Sequence, residues 1–146
     1  MNYAKLIQKI LEISIKQSGV NYAGYGDIYS FNSETVNEYP AVWIYCPNGV
    51  VMNDNLVTAN LYLVYMDRTS NRMDDNSTEN LLIENAGQNI LYNIIKKMKM
   101  LDEIYIDEED FTFQIFDGVE EKSDNVHGGY IDLNISFVNT NTCVVD

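Results

Sequence analysis

The chain has 146 residues, one domain's worth at a rough ~150 residues per domain, and its 22 Asp and Glu against nine Lys and Arg leave a formal charge of −13. With 46% hydrophobic and 12% aromatic residues it has the apolar mass to close a core, which excludes a disordered acidic tail. Its longest apolar runs, such as Ala41 to Cys46, fall far short of the ~20 residues a membrane span needs, and Met1-Asn2-Tyr3-Ala4-Lys5 runs straight into an amphipathic pattern without an apolar leader core, so the expected location is a cytoplasm.

Residues 3 to 17 set Tyr3, Leu6, Ile7, Ile10, Leu11 and Ile13 at helical spacing, and Gly19 is a suitable stop. From Ala23 the composition turns aromatic and β-branched. A first strand is expected over Asp27 to Asn32 and a second over Tyr39 to Cys46, with Pro40 at its beginning or open edge because proline has no N–H to donate. Pro47-Asn48-Gly49 ends it. A third strand, Leu56 to Met66, alternates Val57, Ala59, Leu61, Leu63 and Tyr65 with Thr58, Asn60, Tyr62, Val64 and Met66. Its first face reads as core, and its mixed second face as a surface for another subunit. A polar loop, 67 to 76, leads to a second helix capped by Asn76 and Glu79, with Ile83, Ala86, Ile90, Leu91, Ile94 and Met98 inward and Lys96, Lys97 and Lys99 at its negative end. Gly87 inside that helix costs about 1 kcal/mol against alanine, so it implies either a close packing partner or simple tolerance. Ile104 to Ile106 is ambiguous between strand and loop. Phe111 to Phe116 and Tyr130 to Val138 read as strands, the latter with Ile131, Leu133, Ile135 and Phe137 alternating with Asp132, Asn134 and Ser136. The expected fold is α+β, two helices on an antiparallel sheet in the order α-β-β-β-α-β-β, as one domain over residues 1–146.

Chemistry-bearing motifs are sparse. The single histidine, His127, stands in Asn125-Val126-His127-Gly128-Gly129, which reads as a solvent-facing turn. A nucleophile and base could be assembled only from His127 with a serine or Cys46, and no spacing places them together. Cys46 and Cys143 show no metal-ligand spacing and read as buried or terminal thiols. Asp67, Thr69, Asn71, Asp74 and Asp75 faintly resemble a calcium loop, but Arg72 stands where a sharp turn needs glycine and Thr78 where a bidentate glutamate is needed. No enzyme activity, cofactor or metal is expected. Ten of the 22 acids fall between Asp102 and Asp124, opposed only by Lys122; such a run is either a solvated face or an acidic surface that repels nucleic-acid phosphates.

Three stretches resemble one family: Tyr25-Gly26-Asp27-Ile28-Tyr29-Ser30-Phe31-Asn32 leading to Tyr39-Pro40-Ala41-Val42-Trp43-Ile44; Leu61-Tyr62-Leu63-Val64-Tyr65-Met66-Asp67-Arg68 followed by Asn76-Ser77-Thr78-Glu79 and an Ile-rich helix; and Phe116-Asp117-Gly118 before the alternating last strand. They are similar to tail-terminator and head-to-tail connector proteins of tailed phages infecting Bacteroidetes, including crAss-like phages. The resemblance implies a virion protein assembled in the bacterial host cytoplasm into a neck ring of 6 or 12 copies, touching portal, connector or tail proteins and letting DNA pass without specific binding. One subunit, with a radius of gyration of roughly 15 Å, is too small to surround a duplex alone. The expected subunit contacts are Tyr62 and Val64 on strand three with Asp67, Arg68, Arg72, Asp74 and Asp75. The expected channel-facing acids are Asp107, Glu108, Glu109, Asp110, Glu120 and Glu121. Two other classes compete: an acidic DNA mimic that blocks a host nuclease, and an enzyme or small-ligand binder with a pocket joining His127 or Cys46 to carboxylates.

Overall fold

The computed structural model describes residues 1–27, 38–69, 77–116 and 126–140. Helix α1 spans Tyr3–Ile15. Asn2 caps it, accepting from the Lys5 amide at 2.8 Å, and the helix buries Leu6, Ile7, Ile10 and Ser14. Ser14 is tolerated inside because its hydroxyl donates to the Ile10 carbonyl at 2.7 Å. The chain leaves through Gly19, whose φ of 88° is open to glycine.

Strand β1 is Tyr22–Tyr25, ahead of the strand expected over Asp27 to Asn32; Asp27 itself is outside any strand, and the rest of that span lies outside the described residues. The sequence hides this strand because Gly24 resembles a turn former. A Cβ at Gly24 would sit 2.5 Å from the Trp43 ring, so glycine is there to let that ring lie flat on the sheet. β1 pairs parallel with β2, Ala41–Tyr45, which begins directly after Pro40. β3, Val50–Asn53, is a strand the pattern did not show. β2 and β3 both run antiparallel to β4, Leu56–Arg68, along the same edge. Between the Tyr45–Tyr62 and Val50–Ala59 pairs, Cys46 to Gly49 bulge outward opposite Asn60 and Leu61. Asp54, with φ 54°, turns the chain from β3 into β4.

Helix α2, Ser77–Lys99, follows the predicted spacing, burying Ile83, Leu91, Ile94, Ile95 and Met98. Gly87 has a close packing partner: a Cβ there would lie 2.8 Å from Tyr65 Cδ1 and 3.0 Å from Phe113 Cζ. β5, Ile104–Tyr105, and β6, Phe113–Phe116, pair with β7, Val126–Val138, which lies antiparallel to β4 along its whole length. The sheet order is β1-β2-β4-β7-β5, with β3 beside β2 on β4 and β6 beside β5 on β7. The fold is α+β with both helices on one face of a curled, mostly antiparallel sheet. Among the described residues seven strands are present where five were expected in the whole chain.

The main core forms between the helices and the inward face of the sheet: Leu6 and Ile10 from α1, Leu91, Ile94 and Ile95 from α2, Leu61 and Leu63 from β4, and Leu133, Ile135 and Phe137 from β7. Strand alternation sends every second side chain to the other face. There Ala41, Trp43, Val64, Met66 and Val126 form a smaller cluster, with Tyr22, Tyr39, Tyr45, Tyr62 and Tyr130 packed around it. No helix among the described residues is long and apolar enough to cross a membrane.

Candidate functional site

The face of the sheet opposite the helices carries three of the seven predicted contact residues, Tyr62, Val64 and Arg68. Tyr45, Tyr62 and Tyr130, from β2, β4 and β7, form a row across three strands. Tyr62 and Tyr130 stack at 4.9 Å, and Tyr45 meets Tyr62 edge-on at 5.9 Å. The Tyr62 hydroxyl is held above its usual range by partial burial and then by the Asp132 carboxylate opposite it. Beyond the row the face turns to amides. Asn60 takes a hydrogen bond from Asn48 at 3.1 Å and donates to Asn134 at 3.1 Å and to Asp132. Thr58 and Ser136 join their hydroxyls at 2.9 Å. Tyrosine and asparagine present large, rigid, uncharged contact area with adaptable hydrogen bonding, the chemistry of protein-binding surfaces.

Val64 does not belong to that accessible surface. It is 5% exposed and packed in the small cluster beside Trp43, so a second subunit would meet Tyr62 instead. Arg68 lies on the same face, its guanidinium 5.1 Å over the Tyr39 ring. Asp67 points the other way, toward α2, and its carboxyl is raised by burial and then by the Glu79 charge, against the opposing effect of the Arg68 amide that donates to it at 2.8 Å. Arg72, Asp74 and Asp75 lie outside the described residues.

Next to Asp67 stands a pair that the sequence did not reveal. His127 is inside strand β7, paired with Asp67 across the sheet, and not on a turn. Its Nε2 is 2.6 Å from Glu84 Oε2 of α2, and both side chains are largely buried. The two are 43 residues apart, so no local spacing could have joined them. The following Gly128-Gly129 is likewise no turn: a Cβ at Gly128 would lie 1.8 Å from the Tyr65 carbonyl oxygen, and one at Gly129 2.5 Å from the Gln114 carbonyl oxygen. Glycine lets β4, β7 and β6 approach here.

Among the acidic residues, Asp107, Glu109 and Asp110 are exposed. Glu108 is engaged within the chain: between β6 and β5, residues 132–135 of β7 have no strand partner on that edge among the described residues, and Glu108 fills the gap. Its carboxylate accepts from the Asn134 backbone N–H at 3.1 Å and from Asn134 Nδ2 at 3.0 Å. Glu120 and Glu121 lie outside the described residues.

Cys46 is a free, half-buried thiol donating to the Gly49 carbonyl at 3.4 Å; Cys143 lies outside the described residues. An open groove of about 520 Å³ between α2 and β6 is lined by Gln88, Tyr92, Phe111 and Phe113 among others, and includes neither His127, Cys46 nor a carboxylate. Among the described residues no group of three or more His, Cys, Asp or Glu is placed to hold a metal ion. Compared with protein-family models and with curated proteins, the chain matches none.

Proposed function

We propose that the chain is a structural subunit of a tailed-phage virion, assembled in the host cytoplasm into a neck ring of 6 or 12 copies between portal and tail. It works by surfaces, without a reaction or cofactor. The observation that carries this reading is the one-sided construction of the sheet: the helices cover one face, while the other keeps the Tyr45–Tyr62–Tyr130 row and the Asn48–Asn60–Asn134 network as a broad tyrosine and amide surface in which, among the described residues, Asp132 and Arg68 are the charged groups. That combination supports contact with other protein chains. The resemblance of the Tyr39 to Ile44 and Leu61 to Arg68 stretches to head-to-tail connector and tail-terminator proteins supports the location. The exposed carboxylates of Asp107, Glu109 and Asp110 fit a wall past which DNA slides without sticking.

The DNA-mimic reading has less support. A decoy spreads carboxylates at phosphate-like intervals over an outer face, whereas the open sheet face here is mainly tyrosine and amide with the single exposed carboxylate of Asp132 among its described residues, and five exposed acids fall within 102–110. The test is electron microscopy and native mass spectrometry of the protein, alone and with its neighbouring virion proteins. Closed rings are expected. A persistently monomeric chain that is also missing from purified particles overturns the proposal.

A further inference from the structure

A strand at the rim of a sheet presents unpaired N–H and C=O groups that accept another strand, and folded proteins commonly blunt such rims with charge or proline. Here β3 and β6 are each four residues long and carry no charged side chain, in a chain with 21% charged residues. Among the described residues β3 pairs with β4 alone and β6 with β7 alone; since β4 and β7 are neighbours, the two lie on opposite edges of one sheet.

The two rims differ in kind. β3 projects with its side chains exposed on both faces, Val51 at 69% and Met52 at 71%. β6 has the 520 Å³ groove beside it, with Tyr92, Phe111 and Phe113 in its lining. A projecting aliphatic strand and an open edge next to an aromatic groove are the two halves of a strand-addition contact, in which backbone bonds give affinity and alternate side chains fill the groove. Asp54, at the turn after β3, is the only charged residue between Asn48 and Leu56. A β3 laid antiparallel on β6 brings its Asp54 end to the groove end where Lys96 lies 5.1 Å over Tyr92 and Lys99, which also donates to the Glu108 carbonyl at 2.9 Å, lies 5.0 Å over Phe111, with Asp107, Glu109 and Asp110 exposed in the segment just ahead.

We infer that β3 of one copy adds antiparallel to β6 of the next, continuing the sheet from subunit to subunit. The inference rests on the ring reading and supplies the contact that reading requires: two different patches on each copy, related by a fixed rotation that repeats until it closes.

The test uses the full chain with Val51→Lys and, separately, Ile115→Lys, each placing a charge on one rim at a side chain already in solvent. Both variants should melt like the wild type. Each alone should lose self-association in sedimentation. Mixed in equal amounts, they should form 1:1 dimers that grow no further, because the first still offers β6 and the second still offers β3. If the variants assemble like the wild type, or their mixture stays monomeric while the wild type associates, the edge pairing is overturned and the ring reading stands. A wild-type chain that is monomeric even at millimolar concentration overturns the edge pairing, and if it is also absent from particles the ring reading falls with it.

Discussion

Replacing Gly128 by alanine is the most demanding perturbation of the sheet. The new Cβ would stand 1.8 Å from the Tyr65 carbonyl oxygen, 2.9 Å from the Tyr65 carbonyl carbon and 3.0 Å from Met66 Cα, against 3.4 Å where ordinary contact begins. All three atoms are backbone of β4, so no side chain can swing aside. Instead β7 must lift from β4 around the Gly128–Met66 pair. Losing about two ladder hydrogen bonds at ~0.5–1.5 kcal/mol each, with a further ~1–3 kcal/mol for overpacking, outweighs the ~0.4–1 kcal/mol that alanine gains by restricting the unfolded chain. The net is a loss of about 1–5.5 kcal/mol. In urea unfolding, with m near 2 kcal/mol/M, the midpoint should fall by roughly 0.5–3 M with m unchanged. Gly87→Ala is the internal contrast. Its Cβ would meet ring atoms of the buried Tyr65 at 2.8 Å and of Phe113 at 3.0 Å, side chains and not backbone, and the helix gains ~1 kcal/mol, so it should cost less than Gly128→Ala. A Gly128→Ala protein as stable as the parent, or less affected than Gly87→Ala, would refute the close-approach reasoning.

Three further outcomes are expected. Because the Asp67 carboxyl is held above its usual range in the folded chain, folding takes up a proton there, and stability is lost as pH rises from the ordinary value of 3.8 through the folded one. Asp67→Asn keeps an acceptor for the Arg68 amide, so it should match the wild type at pH 3 and be more stable at pH 7; chemical unfolding at both pH values checks this, and a variant less stable at pH 7 counts against it. His127→Ala and Glu84→Gln should be coupled by about 1–3 kcal/mol in a double-mutant cycle, as a buried charge-assisted hydrogen bond requires. His127→Ala should also leave assembly intact, and a loss of function without a loss of folding would revive the enzyme reading. Tyr62→Ala removes one stacked and one edge-on ring contact, costing the monomer about 1–2 kcal/mol; its incorporation into particles should fall further than a stability-matched core variant's, and equal incorporation would remove the tyrosine row from the interface.

The parts of the fold legible in the sequence are those where burial imposes a period. β7 shows its alternation because Ile131, Leu133, Ile135 and Phe137 enter the core while Asp132 and Asn134 stay wet. α2 shows its period because one stripe, Ile83 to Met98, meets the sheet. The missed elements are those where glycine or a bulge serves tertiary packing. Gly24 makes room for Trp43, Gly128 and Gly129 draw three strands together, and the bulge from Cys46 to Gly49 separates β3 from β2. Each resembles a turn locally, because glycine's freedom and its lack of a side chain leave the same mark in a sequence. At the candidate surface, Tyr62 stands out by strand parity, whereas Arg68, expected in the polar loop after the strand, is the last residue of β4. Val64 has the same parity yet is covered by the second cluster, which depends on Trp43 and Val126 from strands distant in the chain. The Glu84–His127 pair and the Glu108–Asn134 bond are tertiary contacts with no local spacing to announce them.

Counting copies of this chain in purified virions, by quantitative mass spectrometry against labelled standards, tests the proposed neck-ring assignment most directly. Six or twelve copies per particle are predicted. Absence from the particle, or a copy number in the hundreds as for a shell protein, would contradict it.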